Sequence, residues 1–244
     1  KTCNKTVDIN AHKKHTTMRT LIYVPIIHTI ADMGSLADEL QQKSVSAIGE
    51  KKWQNHIDNV NDYWDEIESY FESPDIYIKG TKIYQDGMFV DGEPAMKIVN
   101  EGIKSGSKNS EIVAKLIGRG AILIKTEDFK MVKNEYDGLQ SILKSKTNIK
   151  KLFQLLRYKI SKPIFLRRRD RFIAGRIAET LGENETGILF IGAYHNIRKR
   201  LPKDIAVIEL KEIAKVRKYQ KAIQSDSKRN VKEYDHLAKY ISRK

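Results

Sequence analysis

The chain has 244 residues, 40% hydrophobic and 31% charged, with a formal net charge of +14. This length and composition support a substantial globular core and exclude a disordered or low-complexity chain. A single cysteine, Cys3, excludes an internal disulfide framework and a cysteine-based zinc site, and fits a reducing, cytoplasmic setting.

Residues 1–17 are polar and unpatterned and read as a disordered leader with no secretory signal. Nowhere does an apolar run approach the roughly 20 residues needed to span a bilayer, so no membrane partner is expected. Residues 18–210 read as an α/β domain, and residues 211–244 as basic C-terminal helices packed on it or extending from it.

The first strong element is Arg19–His28, whose continuous apolar run predicts a strand buried on both faces. Pro25 inside it predicts that ladder pairing weakens toward the strand's end. Ser35 is a candidate N-cap for the long helical pattern that comes next. Gly49 marks a kink or split in that pattern. Trp53, Ile57, Val60, Trp64, Ile67 and Phe71 then form an amphipathic stripe that ends at Ser73-Pro74.

Ile76–Tyr84 predicts a second strand with a bulge at Gly80. Short helices over 94–104 and 109–118 lead to a third strand, Ala121–Lys125. Thr126-Glu127-Asp128 resembles a helix start, with helices over 127–145 and 148–159, the latter ending near Pro163. Asp170–Leu181 predicts a helix with Ile173, Ile177 and Leu181 on one face. Gly187–Gly192 and Ile205–Leu210 are the last strands, and the remainder is helical with a break near Ser225. Alternating strands and helices with long connections predict an α/β fold: a mostly parallel sheet of about five strands flanked by helices.

The functional signal lies in the residues just after each strand. Ligands in open α/β folds bind beyond the carboxyl ends of the strands. Those ends carry His28 with Asp32, then Asp86, then Glu127 with Asp128, then Gly192-Ala193-Tyr194-His195. Histidine is the natural acid or base near neutral pH and a common metal ligand. The catalytic candidates are therefore His195, His28, Asp86 and Asp32, with Arg171 from the basic run 167–171 holding an anionic group. His28, His195 and Asp86 are also candidate ligands for a divalent metal that activates water. Glu127 and Asp128 read as helix caps. No Gly-x-Ser-x-Gly elbow, Walker loop or Gly-x-Gly-x-x-Gly occurs, which argues against a serine α/β-hydrolase, a P-loop NTPase and an ordinary dinucleotide-binding enzyme.

A strand ending in His28 and, far downstream, a basic helix leading into GILFIGAYH resemble the erythromycin esterase/ChaN-like superfamily, with its TraB/PrgY and TIKI relatives. Gly192-Ala193-Tyr194-His195 matches that superfamily's second Gly-x-x-His motif. Pro25-Ile26-Ile27-His28 has proline where the first motif has glycine. The resemblance implies a two-histidine site, in a superfamily whose members include esterases, metal-dependent peptidases, haem-binding and regulatory proteins. Segments such as KIYQDG also resemble an uncharacterised prokaryotic family.

The residues support three readings. One is a hydrolase acting on a small-molecule or peptide substrate, anionic if the arginines bind it. Another is a nucleic-acid-binding or regulatory protein using its basic surface. The last is a non-catalytic binding domain of the same fold.

Overall fold

Arg19–Ile26 (β1), Lys82–Gln85 (β2), Ile122–Ile124 (β3), Thr186–Gly192 (β4) and Ile205–Glu209 (β5) form a five-stranded, all-parallel sheet in the computed structural model, ordered β3-β2-β4-β1-β5, with β1 as its buried spine. The structure describes residues 18–29, 31–32, 37–143, 148–223 and 231–242. The expected leader and the Ser35 cap lie outside them. The helices are α1 (Ala37–Ile48), α2 (Glu50–Glu72), α3 (Gly92–Lys104), α4 (Lys108–Gly118), α5 (Phe129–Leu143), α6 (Asn148–Thr180), α7 (Ile213–Ile223) and α8 (Val231–Ile241). This is the expected α/β architecture.

The continuous apolar character of β1 reflects burial on both faces. Ile22, Val24 and Ile26 join a core with Val60, Trp64, Ile67 and Phe71 of α2, and with residues of α4, α7 and α8. Leu21 and Tyr23 face the other way, onto Ile173, Ala174, Ile177 and Leu181. The C-terminal helices α7 and α8 therefore pack on the domain. Val216, Tyr219, Leu237 and Ile241 sit in its larger core.

Pro25 is tolerated for the reason its position suggests. Pairing with β4 continues to Ile26, but pairing with β5 stops at Tyr23. The Tyr23 carbonyl accepts from the Leu210 amide on the β5 side, 3.0 Å away. Alternate residues share a side, so Pro25 turns its missing donor to where no strand remains. The Pro25 carbonyl instead accepts from the Tyr63 hydroxyl.

Several boundaries differ from the sequence expectation. The second strand begins at Lys82 rather than Ile76, because Gly80, at φ +80°, turns the chain before pairing starts. The long helical pattern does split at Gly49, at φ +81°. Pro163 does not end a helix. α6 runs through it as one element of 33 residues, lacking one ladder donor there.

Chain direction defines a crevice. After β2 the chain moves outward to β3, and after β4 it moves the opposite way to β5. β2 and β4 are neighbours, so their carboxyl ends diverge at a topological switch point.

Candidate functional site

Asp86 and His195 occupy that crevice. Asp86 directly succeeds β2, and its amide extends the ladder to the Phe190 carbonyl at 2.8 Å. One carboxylate oxygen, Oδ2, accepts from the Gly192 amide at 3.1 Å. A tight turn after β4, closed by the His195 amide on the Gly192 carbonyl at 3.0 Å, swings the imidazole back over the strand end. Arg217 of α7 clamps this turn, donating to the Ala193 carbonyl at 2.9 and 2.7 Å. A side chain at Gly192 would place its Cβ 3.4 Å from Asp86 Oδ2 and 3.6 Å from the His195 ring. Glycine thus keeps the space between acid and imidazole open.

His195 is 5% exposed and held from both sides. Nδ1 lies 2.7 Å from Asp170 Oδ1, whose other oxygen accepts from the Asn196 amide at 3.1 Å. An ionised carboxylate only accepts, so Nδ1 carries the proton. Nε2 faces Asp86 Oδ2 at 3.7 Å, beyond hydrogen-bond reach. Burial alone pulls the imidazole pKa down. The hydrogen bond to Asp170 and the charge of Asp86 outweigh it, and the net shift is upward.

Behind Asp86 stands a buried charge cluster. Arg169 of α6 donates to Asp86 Oδ1 at 2.5 Å and to Glu127 Oε2 at 2.7 Å, and it also bonds Glu135. Glu127 Oε1 accepts from the Gly87 amide at 3.1 Å. Burial raises the Asp86 pKa, but His195 and Arg169 reverse this and hold it well below the usual carboxylate range. Glu127 differs: burial and the neighbouring Asp86 charge push it up to about 7, against the pull of Arg169. Beneath the site, the Tyr23 hydroxyl is buried without a hydrogen-bond partner among the described residues. Burial and the Asp170 and Asp86 charges raise its pKa, so it remains a phenol.

The structure brings together only part of the residue set named from sequence. Asp86 and His195 meet. His28 is exposed; it is close enough to Asp86 to lower that pKa electrostatically, but it takes no part in the hydrogen bonds that assemble the site. β1 ends at Ile26, and the buried Ile27 is pinned by Trp64 Nε1 on its carbonyl at 3.2 Å, so the next side chain points out. Asp32 braces a loop: it accepts from the Thr29 amide at 2.6 Å and from the Ser107 hydroxyl at 2.5 Å. Arg171 is exposed on the far side of α6 and lines a groove instead. Asp128 does cap a helix, accepting from the Met131 amide at 3.1 Å, but Glu127 belongs to the buried cluster.

Sequence reasoning missed Asp170, Glu135 and Arg217, and chose Arg171 rather than Arg169 from the basic run 167–171 as the arginine of the crevice. A signal for two of them was present. Arg169 and Asp170 precede Ile173 and Ala174 by four residues, so they continue the buried stripe of α6 by one turn.

Of the residues expected to bind a metal, Asp86 and His195 come together, while His28 is exposed and outside their hydrogen bonds. Among the described residues no group of three or more His, Cys, Asp and Glu side chains is arranged to hold one. Both Asp86 oxygens already accept hydrogen bonds, one of them from a guanidinium that would repel a second cation.

No family model, curated protein or solved structure matches the chain. Fold and site together define its class: a parallel α/β protein with a buried Asp–His–Asp array at the switch point of its sheet. No helix among the described residues is long and apolar enough to cross a membrane.

Proposed function

We propose that the chain is a hydrolase of a small-molecule or peptide substrate, with His195 as its general base. The observation that carries this reading is the imidazole at the switch-point crevice. Nδ1 is fixed on Asp170 at 2.7 Å, while Nε2 makes no hydrogen bond among the described residues. Such an arrangement sets the tautomer and leaves the second nitrogen to move a proton. The likeness of Gly192–His195 to the Gly-x-x-His motif of the erythromycin esterase/ChaN-like superfamily supports it.

In this reading His195 Nε2 takes a proton from water as the water oxygen attacks the substrate's electrophilic centre. The imidazolium then returns that proton to the leaving group. Asp170 holds the ring, and Asp86 stabilises the charge it acquires. Arg169 keeps Asp86 ionised and fixed.

Hydrolysis of p-nitrophenyl acetate, p-nitrophenyl phosphate and an amino-acid p-nitroanilide tests the proposal on wild type, His195→Ala and Asp170→Asn. Loss of general base catalysis should lower kcat by about 10²- to 10⁴-fold in His195→Ala with an unchanged circular dichroism spectrum. Asp170→Asn should lose much of the same factor. Turnover indifferent to His195→Ala, or a wild type inert toward every probe, contradicts the reading and favours a binding domain.

A further inference from the structure

The rotation of α6 separates its basic run into two functions. Arg169 and Asp170 point inward to the site, whereas Arg168 and Arg171 are exposed. They lie on one stripe with Phe172, Gly175 and Arg176, which forms the floor of an open groove of about 800 Å³. From Arg168 to Glu179 the stripe is about 16 Å long at the helical rise. This size falls within the range of small-ligand sites.

The charge in this groove is unbalanced. Lys125, Arg168, Arg171 and Arg176 line it, against Asp91 and Glu179. Both acids are engaged: Asp91 accepts from the Lys125 amide, and Glu179 pairs with Arg176 at 3.2 Å. Arg168 and Arg171 have no partner among the described residues, although they sit one turn apart on the same wall. Uncompensated guanidinium groups at that spacing match the oxygens of phosphoryl groups.

Gly175 is a second, independent observation. A glycine inside a helix is less favourable than alanine. No packing among the described residues explains it here, because a Cβ at Gly175 would meet nothing within 4 Å. The position opens into the groove between the arginines and Glu179 and leaves its floor low beside the half-buried ring of Phe172.

We propose that this groove is a binding site for a phosphate ester, with Arg168 and Arg171 on the phosphates and Phe172 against the attached organic group. It is distinct from the His195 site and does not depend on the hydrolase reading. Two sources share this chemistry, a free nucleotide and a single-stranded nucleic-acid backbone.

Calorimetric titration with ATP and, separately, with a short oligothymidine distinguishes them. Binding of ATP alone assigns a nucleotide, and binding of the oligomer alone assigns a nucleic-acid backbone. In either case affinity should fall with added salt. It should drop about tenfold or more in Arg168→Ala/Arg171→Ala, in line with lost charge-assisted hydrogen bonds. Gly175→Leu should block the groove with no loss of melting temperature. His195→Ala should bind as wild type does. The proposal is overturned if neither probe binds, or if the arginine double variant or Gly175→Leu binds as tightly as wild type. It is equally overturned if Lys199→Ala/Arg200→Ala, which alters an exposed basic run elsewhere, weakens binding as much as the groove variants do.

Discussion

Asp86 is built to organise rather than to accept a proton. Arg169 and the Gly192 amide occupy its oxygens, and its pKa lies well below the usual range. Its effect falls on His195, whose pKa it raises. In the proposed mechanism the active base is the neutral imidazole, so kcat should rise with pH through a value above the ordinary 6.5. Asp86→Asn should move that inflection to lower pH. An unmoved inflection would assign the titration to another group. Arg169 carries the larger structural load. Arg169→Leu would leave Asp86, Glu127 and Glu135 without their shared cation. The expected loss is about 3–5 kcal/mol, read from urea unfolding. A loss under about 1 kcal/mol would show that the acids are satisfied without it. In the sequence, His195 and Asp86 were legible because each lies just beyond the carboxyl end of a strand. Asp170 and the choice of Arg169 were not, because the run 167–171 does not state which of its residues turn inward until the helix is known to pass through Pro163.

At the scale of elements, strand identity was legible from apolar runs, and boundaries were not. Ile76–Ile78 is apolar enough for a strand, yet the turn at Gly80 keeps it out of the sheet, a tertiary outcome that local pattern does not contain. The packing of α2 on α7 likewise includes a polar contact with no sequence signal. His56 Nδ1 lies 2.8 Å from the Tyr219 hydroxyl, and burial lowers its pKa to about 4. The unfolded chain takes up a proton near pH 6.5, which the folded chain refuses until about pH 4. Stability should therefore fall as pH drops through that window, by up to about 3 kcal/mol. His56→Phe should flatten this limb of the stability profile. An unchanged limb would place the acid sensitivity elsewhere.

For the whole molecule, the parallel sheet and its flanking helices were legible from alternation and connection length. The strand order that creates the crevice was not, because nothing local states that β4 inserts between β2 and β1. The same holds for the C-terminal helices. Their basic residues suggested an outer surface, but their apolar faces complete the core over α2, and the buried Lys211 ties to Glu66. A chain ending at residue 211 should lose cooperative thermal unfolding, since Val60, Trp64 and their neighbours would face water. A truncated protein that melts cooperatively near the wild-type temperature would show that these helices merely decorate the domain. The central claim concerns one imidazole, and nitrogen-detected NMR titration of His195 tests it most directly. The account predicts a proton on Nδ1 throughout and a pKa above 6.5 that falls in Asp86→Asn. A His195 that titrates below 6.5, or is protonated on Nε2 in its neutral form, would contradict it.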